Sequence, residues 1–238
     1  MGKSLISQKR GKGSITYRTP GHRFYGEAKH AKPVTGQITG IVKDIVHCSG
    51  HYAPLAEVRY ENGENIYMLA PEGIRVGQNI IMGTNAPIEP GNTLQLGGIP
   101  EGTLIYNIES SPGDGGKFCR SAGNFSRVVS KTSEGILIEL PSKKTKLFLP
   151  ACRATIGILA AGGRHEKPFL KAGKRWHAFK ARNRMYPTVS GISMNAVDHP
   201  FGGKGSHVKG RPTQSGRNTP PGRKVGKIAP KRTGRRSR

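Results

Sequence analysis

The sequence predicts a mainly β protein: an oligonucleotide-binding (OB) barrel followed by an SH3-like barrel, with long basic N- and C-terminal extensions and one short helix. Two observations favour this. Short β-branched segments alternate with turns rich in Gly, Pro, Asn and Asp through the middle of the chain. Lys and Arg, by contrast, dominate only the two ends. We therefore divide the chain into a basic N-terminal arm (1–33), an OB barrel (34–85), an SH3-like barrel (86–163) and a region of helix, Gly-rich loop and basic tail (164–238).

The charge of the chain is concentrated at its ends. The 238 residues have a formal net charge of +25 and a pI of about 10.5. Residues 1–32 contain eight Lys or Arg residues and one acidic residue, and residues 167–238 contain 19 Lys or Arg residues and one acidic residue. Residues 33–166, in contrast, contain 12 Lys or Arg residues and 12 acidic residues. Like charges repel in a compact state and a polyanion neutralises them, so nucleic acid is the expected partner and an anionic membrane the alternative.

Other compositional features narrow the class of protein further. No apolar run approaches the roughly 20 residues that span a bilayer, and the basic start lacks the apolar core of a secretory signal. Three cysteines, far apart in sequence, favour reduced thiols in the cytoplasm. We therefore expect a cytoplasmic protein without a membrane partner.

Residues 34–85 contain four or five short strand-like segments. The strongest signal is the hairpin of Leu55–Tyr60 and Asn65–Leu69, which an Asn-Gly turn at Asn62 connects. Val34–Val46 precedes it, and Ile74–Met82 supplies a turn and another strand. This number of strands over about 50 residues favours a small OB-type barrel, with a general β-sandwich as the alternative.

Residues 86–163 contain a second series of strand-like segments, of the size that an SH3-like barrel needs. These segments are Asn92–Leu96, Thr103–Glu109, Phe125–Ser130, Gly135–Leu140, Thr145–Leu149 and Ala154–Ala160. Between two of them, residues 111–125 hold too many glycines for a strand, which indicates a long functional loop rather than a merely solvated one. Lys117, Arg120 and Arg127 favour phosphate contact there.

The two ends of the chain have little hydrophobic periodicity. Residues 1–33 cannot offset the entropy of ordering on their own, so they are expected to order on a partner, with a non-specific disordered tail as the alternative. Tyr17, Phe24 and Tyr25 lie among arginines, as in segments that stack on unpaired bases.

A helix is expected within residues 164–185. Its Trp176 and Phe179 are interpreted as core contacts rather than as rings on which RNA bases stack.

The loop Gly191–His207 carries the most specific chemical groups: Asn195, Asp198 and His199 among glycines. Asp198 and His199 resemble a catalytic pair, but adjacent side chains of an extended segment point to opposite sides, and no nucleophile signature accompanies them. A role in RNA binding is therefore favoured over catalysis.

A zinc site at His47-Cys48-Ser-Gly-His51 is disfavoured because no second half-site accompanies it.

Three motifs give the chain a resemblance to a known family. Arg120-Ser-Ala-Gly-Asn-Phe125, Cys152-Arg-Ala-Thr-Ile-Gly157 and Met194-Asn-Ala-Val-Asp-His-Pro-Phe-Gly-Gly203 resemble the family of ribosomal protein two of the large subunit, in its archaeal type. The chain departs from the bacterial members at Lys204–His207, where they carry an acid after a longer glycine run. The resemblance covers nearly the whole chain.

The resemblance implies a primary ribosomal RNA-binding protein that supports subunit association, tRNA binding and the peptidyl-transferase region. Implied partners are large-subunit ribosomal RNA, other ribosomal proteins and small-subunit RNA at an intersubunit bridge, without a homo-oligomer. No cofactor is expected, with Mg²⁺ only as RNA counterion. Expected RNA-contact residues are Lys9, Arg10, Lys12, Arg18, Arg23, Lys117, Arg120, Arg127, Lys174, Arg175, Arg182, Asn195, Asp198, His199, Gly202, Gly203, Lys204, Arg223, Lys224, Lys231 and Arg232.

Two alternative functions remain open from sequence. The family's much-discussed histidine corresponds to His199, so a general-base contribution of His199 to peptidyl transfer is the first. A generic nucleic-acid chaperone outside the ribosome is the second, although the specific motif at 194–203 disfavours it. The favoured interpretation is a structural protein that is not an enzyme.

Overall fold

The computed structural model describes residues 4–33, 36–204 and 213–231. By their contacts, the residues form two compact units: a β unit, residues 20–171, and a terminal unit, residues 1–19 together with 172–238.

Ten strands of the β unit form one sheet, in the order β3-β2-β1-β4-β5-β10-β6-β7-β8-β9. The strands are β1 (Gln37–Val46), β2 (Leu55–Tyr60), β3 (Asn65–Leu69), β4 (Asn79–Gly83), β5 (Thr93–Gln95), β6 (Leu104–Tyr106), β7 (Ser126–Thr132), β8 (Gly135–Glu139), β9 (Thr145–Phe148) and β10 (Arg153–Ile156). The first four lie in the predicted OB part and the other six in the predicted SH3-like part. The prediction of a mainly β fold is confirmed.

Neighbouring strands joined by a short turn pair in antiparallel register. The Asn-Gly turn joins β2 to β3 in antiparallel register, with Leu55 opposite Leu69. Strand β1 pairs with both β2 and β4, and its ladder with β2 shifts between Val42 and Asp44, as at a β-bulge. The two halves of the sheet meet at a single parallel pair, Met82 with Thr93.

Each half of the sheet has its own apolar core, and a third cluster lies between them. Ile105, Ile138 and Phe148 belong to the SH3-like core, and Val58 and Ile80 belong to the OB core. The third cluster joins the halves through residues such as Leu69, Tyr106 and Leu159. Its Tyr106 hydroxyl donates a 3.0 Å hydrogen bond to the Leu69 carbonyl. The barrels therefore share buried surface and a polar contact.

The segment predicted as one N-terminal arm is divided between the two units. Residues 4–19 belong to the terminal unit and residues 20–33 to the β unit. Ala28 and Ala31 are buried there, with exposures of 0% and 3%. The carbonyl of Ala31 accepts a 2.7 Å hydrogen bond from Arg153 Nη1. The second half of the segment is thus ordered by the protein itself, because its small residues fit a core that sequence periodicity does not reveal.

The described part of the terminal unit contains two α-helices where one was expected. Helix α1 spans Ile6–Gly11 and helix α2 spans Ala172–Lys180, which is shorter than the helical pattern of residues 164–185. The extra helix is only six residues long and has no buried residue, so it leaves no apolar stripe in the sequence. Two short parallel strands, β11 (Gln214–Ser215) and β12 (Lys227–Ile228), pair later in the chain. Within the described ranges, no helix is long and apolar enough to cross a membrane.

Candidate nucleic-acid interface

The loop at 191–204 is a compact turn closed by backbone hydrogen bonds. It begins with a 3-10 turn at Gly191–Ser193. The amide of Gly203 then donates to the Met194 carbonyl at 3.1 Å, and the amide of His199 donates to the Asn195 carbonyl at 3.2 Å. This ring of bonds holds the predicted motif as one unit, with Asn195 and Asp198 exposed at its surface.

His199 is partly buried inside this loop. The amide of Phe201 donates a 3.0 Å hydrogen bond to His199 Nδ1, and the two rings lie 5.2 Å apart at 59°. Since Nδ1 accepts, the neutral ring carries its hydrogen on Nε2. Nε2 can then donate to a phosphate, a ribose or a base. This arrangement suits a residue that positions RNA, because one ring nitrogen is already used to fix the ring.

Two glycines allow the loop to close. A β-carbon at Gly202 would lie 2.5 Å from the Met194 carbonyl oxygen, and closer still to that of Asn195, so only glycine fits. A β-carbon at Gly191 would lie 2.7 Å from His199 Nε2. Gly191 thus leaves the space that the imidazole occupies. The remaining predicted loop residues, Gly203 and Lys204, are exposed.

A cluster of arginines and aromatic rings spans helix α2 and the segment that follows it. The Arg175 guanidinium lies 5.2 Å from the ring centre of Phe179 and 4.9 Å from that of Tyr186, and Arg184 lies 4.7 Å from Phe179. Phe179 and Tyr186 themselves meet edge to face at 5.4 Å. The stacking holds both guanidinium planes at the surface, where they remain available to phosphates.

Trp176 does not occupy the core position predicted for it. Its side chain is 43% exposed and meets the neighbouring His177 edge to face at 4.9 Å. Helix α2 buries no residue, and its Lys174 is exposed. The apolar spacing of a short helix was therefore a poor guide to burial here, and the exposed indole belongs to the basic surface.

The cations of the N-terminal segment are exposed: Lys9, Arg10, Lys12 and Arg18 in the terminal unit, and Arg23 in the β unit. Arg10 also approaches Met185, with Nη2 3.0 Å from the sulfur. The structure thus brings the start of the chain and the segment after α2 together within the terminal unit. Arg182, predicted for the same surface, is partly buried and donates to the Ala178 carbonyl at 3.2 Å.

The Gly-rich loop at 111–125 is ordered by two carboxylates. Asp114 Oδ2 accepts hydrogen bonds from the amides of Ser110 and Ser111, and its Oδ1 accepts one from Gly116, all at 3.0–3.1 Å. Burial alone raises the pKa of Asp114, but these amides and Lys117 outweigh it and lower the pKa. The loop is therefore a built structure rather than a solvated connection.

Glu109 supports the same loop from inside the β unit. Its Oε1 lies 2.7 Å from Arg153 Nη2, and the amides of Gly113 and Gly115 donate to its two oxygens. Burial by itself raises the pKa of Glu109, yet the hydrogen bonds and charge of Arg153 lower it overall. Sequence reasoning missed this pair, because its members are 44 residues apart and no local pattern links them.

The three cations predicted to use this loop differ in their environment. Arg120 is partly buried, and its guanidinium donates to the carbonyls of Gly116 at 2.9 Å and Ala28 at 2.6 Å. Burial lowers its pKa. Lys117 and Arg127 are exposed, with Lys117 Nζ 3.4 Å from Asp114. Arg120 thus stabilises the fold, while the other two face outward.

The described part of the C-terminal tail is held by its own hydrogen bonds. Arg223 and Lys224 are partly buried, and Lys224 Nζ donates to the Arg217 carbonyl at 2.9 Å. Lys231 is exposed. Arg232 and residues 205–207 lie outside the described residues.

The motif His47–His51 contains a buried thiol. Cys48 is fully buried, and its sulfur lies 3.3 Å from His51 Nδ1, so the two side chains hydrogen-bond each other. In the described ranges, no group of three or more His, Cys, Asp or Glu side chains is placed to hold a metal ion.

Two family models match the chain in sequence. Residues 3–82 match the description "Ribosomal Proteins L2, RNA binding N-terminal domain", and residues 89–224 match "Ribosomal Proteins L2, C-terminal domain". The chain belongs to the ribosomal protein L2 family. The boundary between the two matched regions falls between strands β4 and β5, where the two halves of the sheet meet.

Individual relatives extend the match over the whole length. The large ribosomal subunit protein uL2 of Methanobrevibacter smithii is 52% identical over 238 residues, which cover 98% of this chain and 99% of that protein. The uL2 proteins of Methanosphaera stadtmanae and Methanothermobacter thermautotrophicus are 52% and 50% identical over 240 residues, covering 99% of this chain and 100% of each. These matches confirm the resemblance to a ribosomal protein family of archaeal type.

Proposed function

We propose that this chain is a structural constituent of the large ribosomal subunit that binds ribosomal RNA. The observation that carries the proposal is the division of charge in a chain of this family. The neutral middle of the chain forms the sheet, while the cations of residues 4–32, 167–204 and 213–231 are largely exposed. Exposed cations neutralise phosphates and release counterions, so the basic segments supply affinity, and the folded loops supply position.

The loop at 191–204 is proposed to fix one RNA junction. Its exposed Asn195 and Asp198 and the Nε2 of His199 offer hydrogen-bonding groups that differ from the phosphate-binding cations around them. Because the loop is closed by its own backbone bonds, little entropy is lost when RNA binds. We assign Lys9, Arg10, Lys12, Arg18, Arg23, Lys117, Arg127, Lys174, Arg175, Lys204 and Lys231 to phosphate contact.

A more specific role in the ribosome is proposed from the fixing of this RNA junction. By fixing RNA, the protein is proposed to support subunit association, tRNA binding and the peptidyl-transferase region, with other ribosomal proteins and small-subunit RNA at an intersubunit bridge as further partners. No cofactor is needed for such a role, and Mg²⁺ enters only as the counterion of RNA. A general-base role of His199 is not proposed, because its Nδ1 is held by the Phe201 amide.

RNA footprinting across a salt series tests the proposal. The wild-type protein is expected to give a discrete footprint on large-subunit ribosomal RNA and an affinity that falls steeply with salt. His199→Ala should lose protection at only a few nucleotides. His47→Ala is a matched control, because His47 is an exposed histidine of the β unit far from the loop in sequence. A diffuse footprint that is the same for all three proteins would contradict the proposed site-specific binding.

A second measurement separates positioning from catalysis. If His199 only positions RNA, peptide-bond formation by particles that contain His199→Ala should fall in proportion to the loss of assembled particles. Loss of peptide-bond formation in fully assembled particles would instead support the general-base alternative.

A further inference from the structure

A groove of about 350 Å³ opens in the SH3-like part of the β unit, at the start of strand β7. Asn124 and Phe125 line it. Arg127 on strand β7, Glu139 on strand β8 and Lys143 in the turn that follows β8 also line it, together with Gly123, Ser126, Leu140 and Pro141. The groove thus combines an aromatic ring, an amide, two cations and one carboxylate within the space of a single nucleotide.

Phe125 is unusual among the aromatic residues of this part of the fold. Its side chain is 42% exposed, whereas Phe148 on strand β9 is 4% exposed and packs edge to face on Phe118 at 5.2 Å. A large part of the Phe125 side chain therefore lies at the surface, beside cations. Such a ring is well suited to stack on an unpaired base, because every base offers a π-face.

The backbone on both sides of Phe125 is fixed. The amide of Gly123 donates to the carbonyls of Leu159 and Ala160 at 3.1 and 3.2 Å, and the amide of Leu159 donates to the Asn124 carbonyl at 3.2 Å. Ser126, which follows, is buried at the start of strand β7. Phe125 is therefore held between two anchored residues, and little conformational freedom is lost when a ligand covers it.

The charged side of the groove is equally well built. Arg127 lies opposite Glu139 in the antiparallel pair of β7 and β8. The amide of Lys143 donates to the Leu140 carbonyl at 2.8 Å, and that of Leu140 donates to the Lys144 carbonyl at 2.9 Å, which closes the turn. Two cations and one carboxylate leave the groove with a net positive charge. Glu139 can accept a hydrogen bond from a base amino group, as Asn124 can.

We propose that this groove binds one unpaired nucleotide of large-subunit ribosomal RNA. Its base stacks on Phe125, and its phosphates contact Arg127 and Lys143. The inference rests on the proposed RNA-binding function and adds a specific subsite to it. A nucleotide fits this lining because its base can stack on the phenyl ring while its phosphates contact the two cations.

The first experiment measures the binding of the full-length protein to large-subunit ribosomal RNA across a salt series. Phe125→Ala should lower the affinity about 5- to 100-fold with an unchanged salt slope, and Phe125→Trp should retain it. Lys143→Ala should reduce the slope by about one. Val129→Ala is the matched control, because Val129 lies on strand β7, which begins directly after Phe125, and is also 42% exposed. If Phe125→Ala melts at a lower temperature than the wild type, Phe125→Leu replaces it.

The second experiment locates the contact directly. Ultraviolet crosslinking of the wild-type complex, followed by digestion with ribonuclease and trypsin, should yield the peptide of residues 121–127 carrying one nucleotide, which maps to an unpaired position of the RNA. Binding by Phe125→Ala equal to that of Val129→Ala, or the absence of an RNA crosslink on the peptide of residues 121–127, would overturn the subsite and leave the proposed function standing. Failure of the wild type to bind the RNA at all would overturn both.

Discussion

The imidazole of His199 occupies the space beside the α-carbon of Gly191. A β-carbon at position 191 would lie 2.7 Å from His199 Nε2 and still closer to Cε1 and Nδ1. The two residues are eight positions apart in the sequence, and the loop folds back so that the histidine ring lies against the first glycine. The orientation of His199 therefore depends on a residue that has no functional group of its own.

Gly191→Ala is expected to displace the His199 ring without unfolding the protein, because a side chain can rotate away from the added methyl group. The RNA footprint of Gly191→Ala should lose the same few nucleotides as that of His199→Ala. Gly173→Ala provides the control, since a β-carbon there meets nothing within 4 Å. It should leave the footprint unchanged and favour helix α2 by up to about 1 kcal/mol. A Gly191→Ala footprint identical to the wild type would contradict the coupling.

Gly202→Ala is expected to be more severe than Gly191→Ala, because the added β-carbon meets backbone rather than a movable ring. It would lie 2.5 Å from the Met194 carbonyl oxygen. Relief requires breaking the bond from the Gly203 amide to Met194, which closes the loop. Footprinting should then show loss of all protection by the loop, while circular dichroism of the β unit should be unchanged. Retained protection would show that the loop binds RNA without its closed form.

The parts of this protein that sequence could predict are those that local chemistry determines. The Asn-Gly turn fixed the hairpin of Leu55–Tyr60 and Asn65–Leu69, and the structure has both strands with those bounds. Helix α1 was missed because six exposed residues carry no apolar period. The exposed Trp176 was interpreted as a core contact because spacing alone does not reveal what a helix face meets.

The candidate site likewise has features that sequence could predict and features that it could not. The residues of the loop at 191–204 are close in sequence, so their grouping was predictable, whereas the use of His199 Nδ1 by the Phe201 amide was not. Arg120 was predicted to contact RNA from composition, yet its guanidinium donates to Ala28, which is 92 residues away. Glu109 and Arg153 form their pair only when strand β10 lies beside strand β6. Non-local contacts of this kind leave no periodic signal.

Arg153→Met is expected to destabilise the β unit by about 3–5 kcal/mol, because it leaves the Glu109 carboxylate buried without its charge partner. The Glu109 side chain has 0% exposure and that of Arg153 has 9%. Lys29→Met removes an exposed pair with Glu27 and should change the stability by less than about 1 kcal/mol. Urea unfolding at neutral pH, followed by far-ultraviolet circular dichroism, compares the two. Equal stability of both variants would show that the buried pair contributes little.

His30 is expected to make the β unit less stable as the solution becomes mildly acidic. Burial lowers the pKa of His30 to about 4, from its ordinary 6.5, while its Nε2 donates a 2.6 Å hydrogen bond to the Asn107 carbonyl. Between these two values the unfolded chain binds a proton that the folded chain does not. The free energy of unfolding therefore decreases as the pH falls from 6.5 towards 4, by at most about 1.4 kcal/mol per pH unit.

His30→Gln tests this dependence, since a glutamine amide can donate to the same carbonyl but does not titrate. Urea unfolding between about pH 6.5 and about pH 5 isolates His30, because the lowered pKa values of Glu109 and Asp114 place the loss of their contributions below that range. The wild-type protein should lose stability over this interval, and the slope for His30→Gln should be close to zero. Equal slopes for the two proteins would mean that His30 is protonated as readily in the folded chain as in the unfolded one.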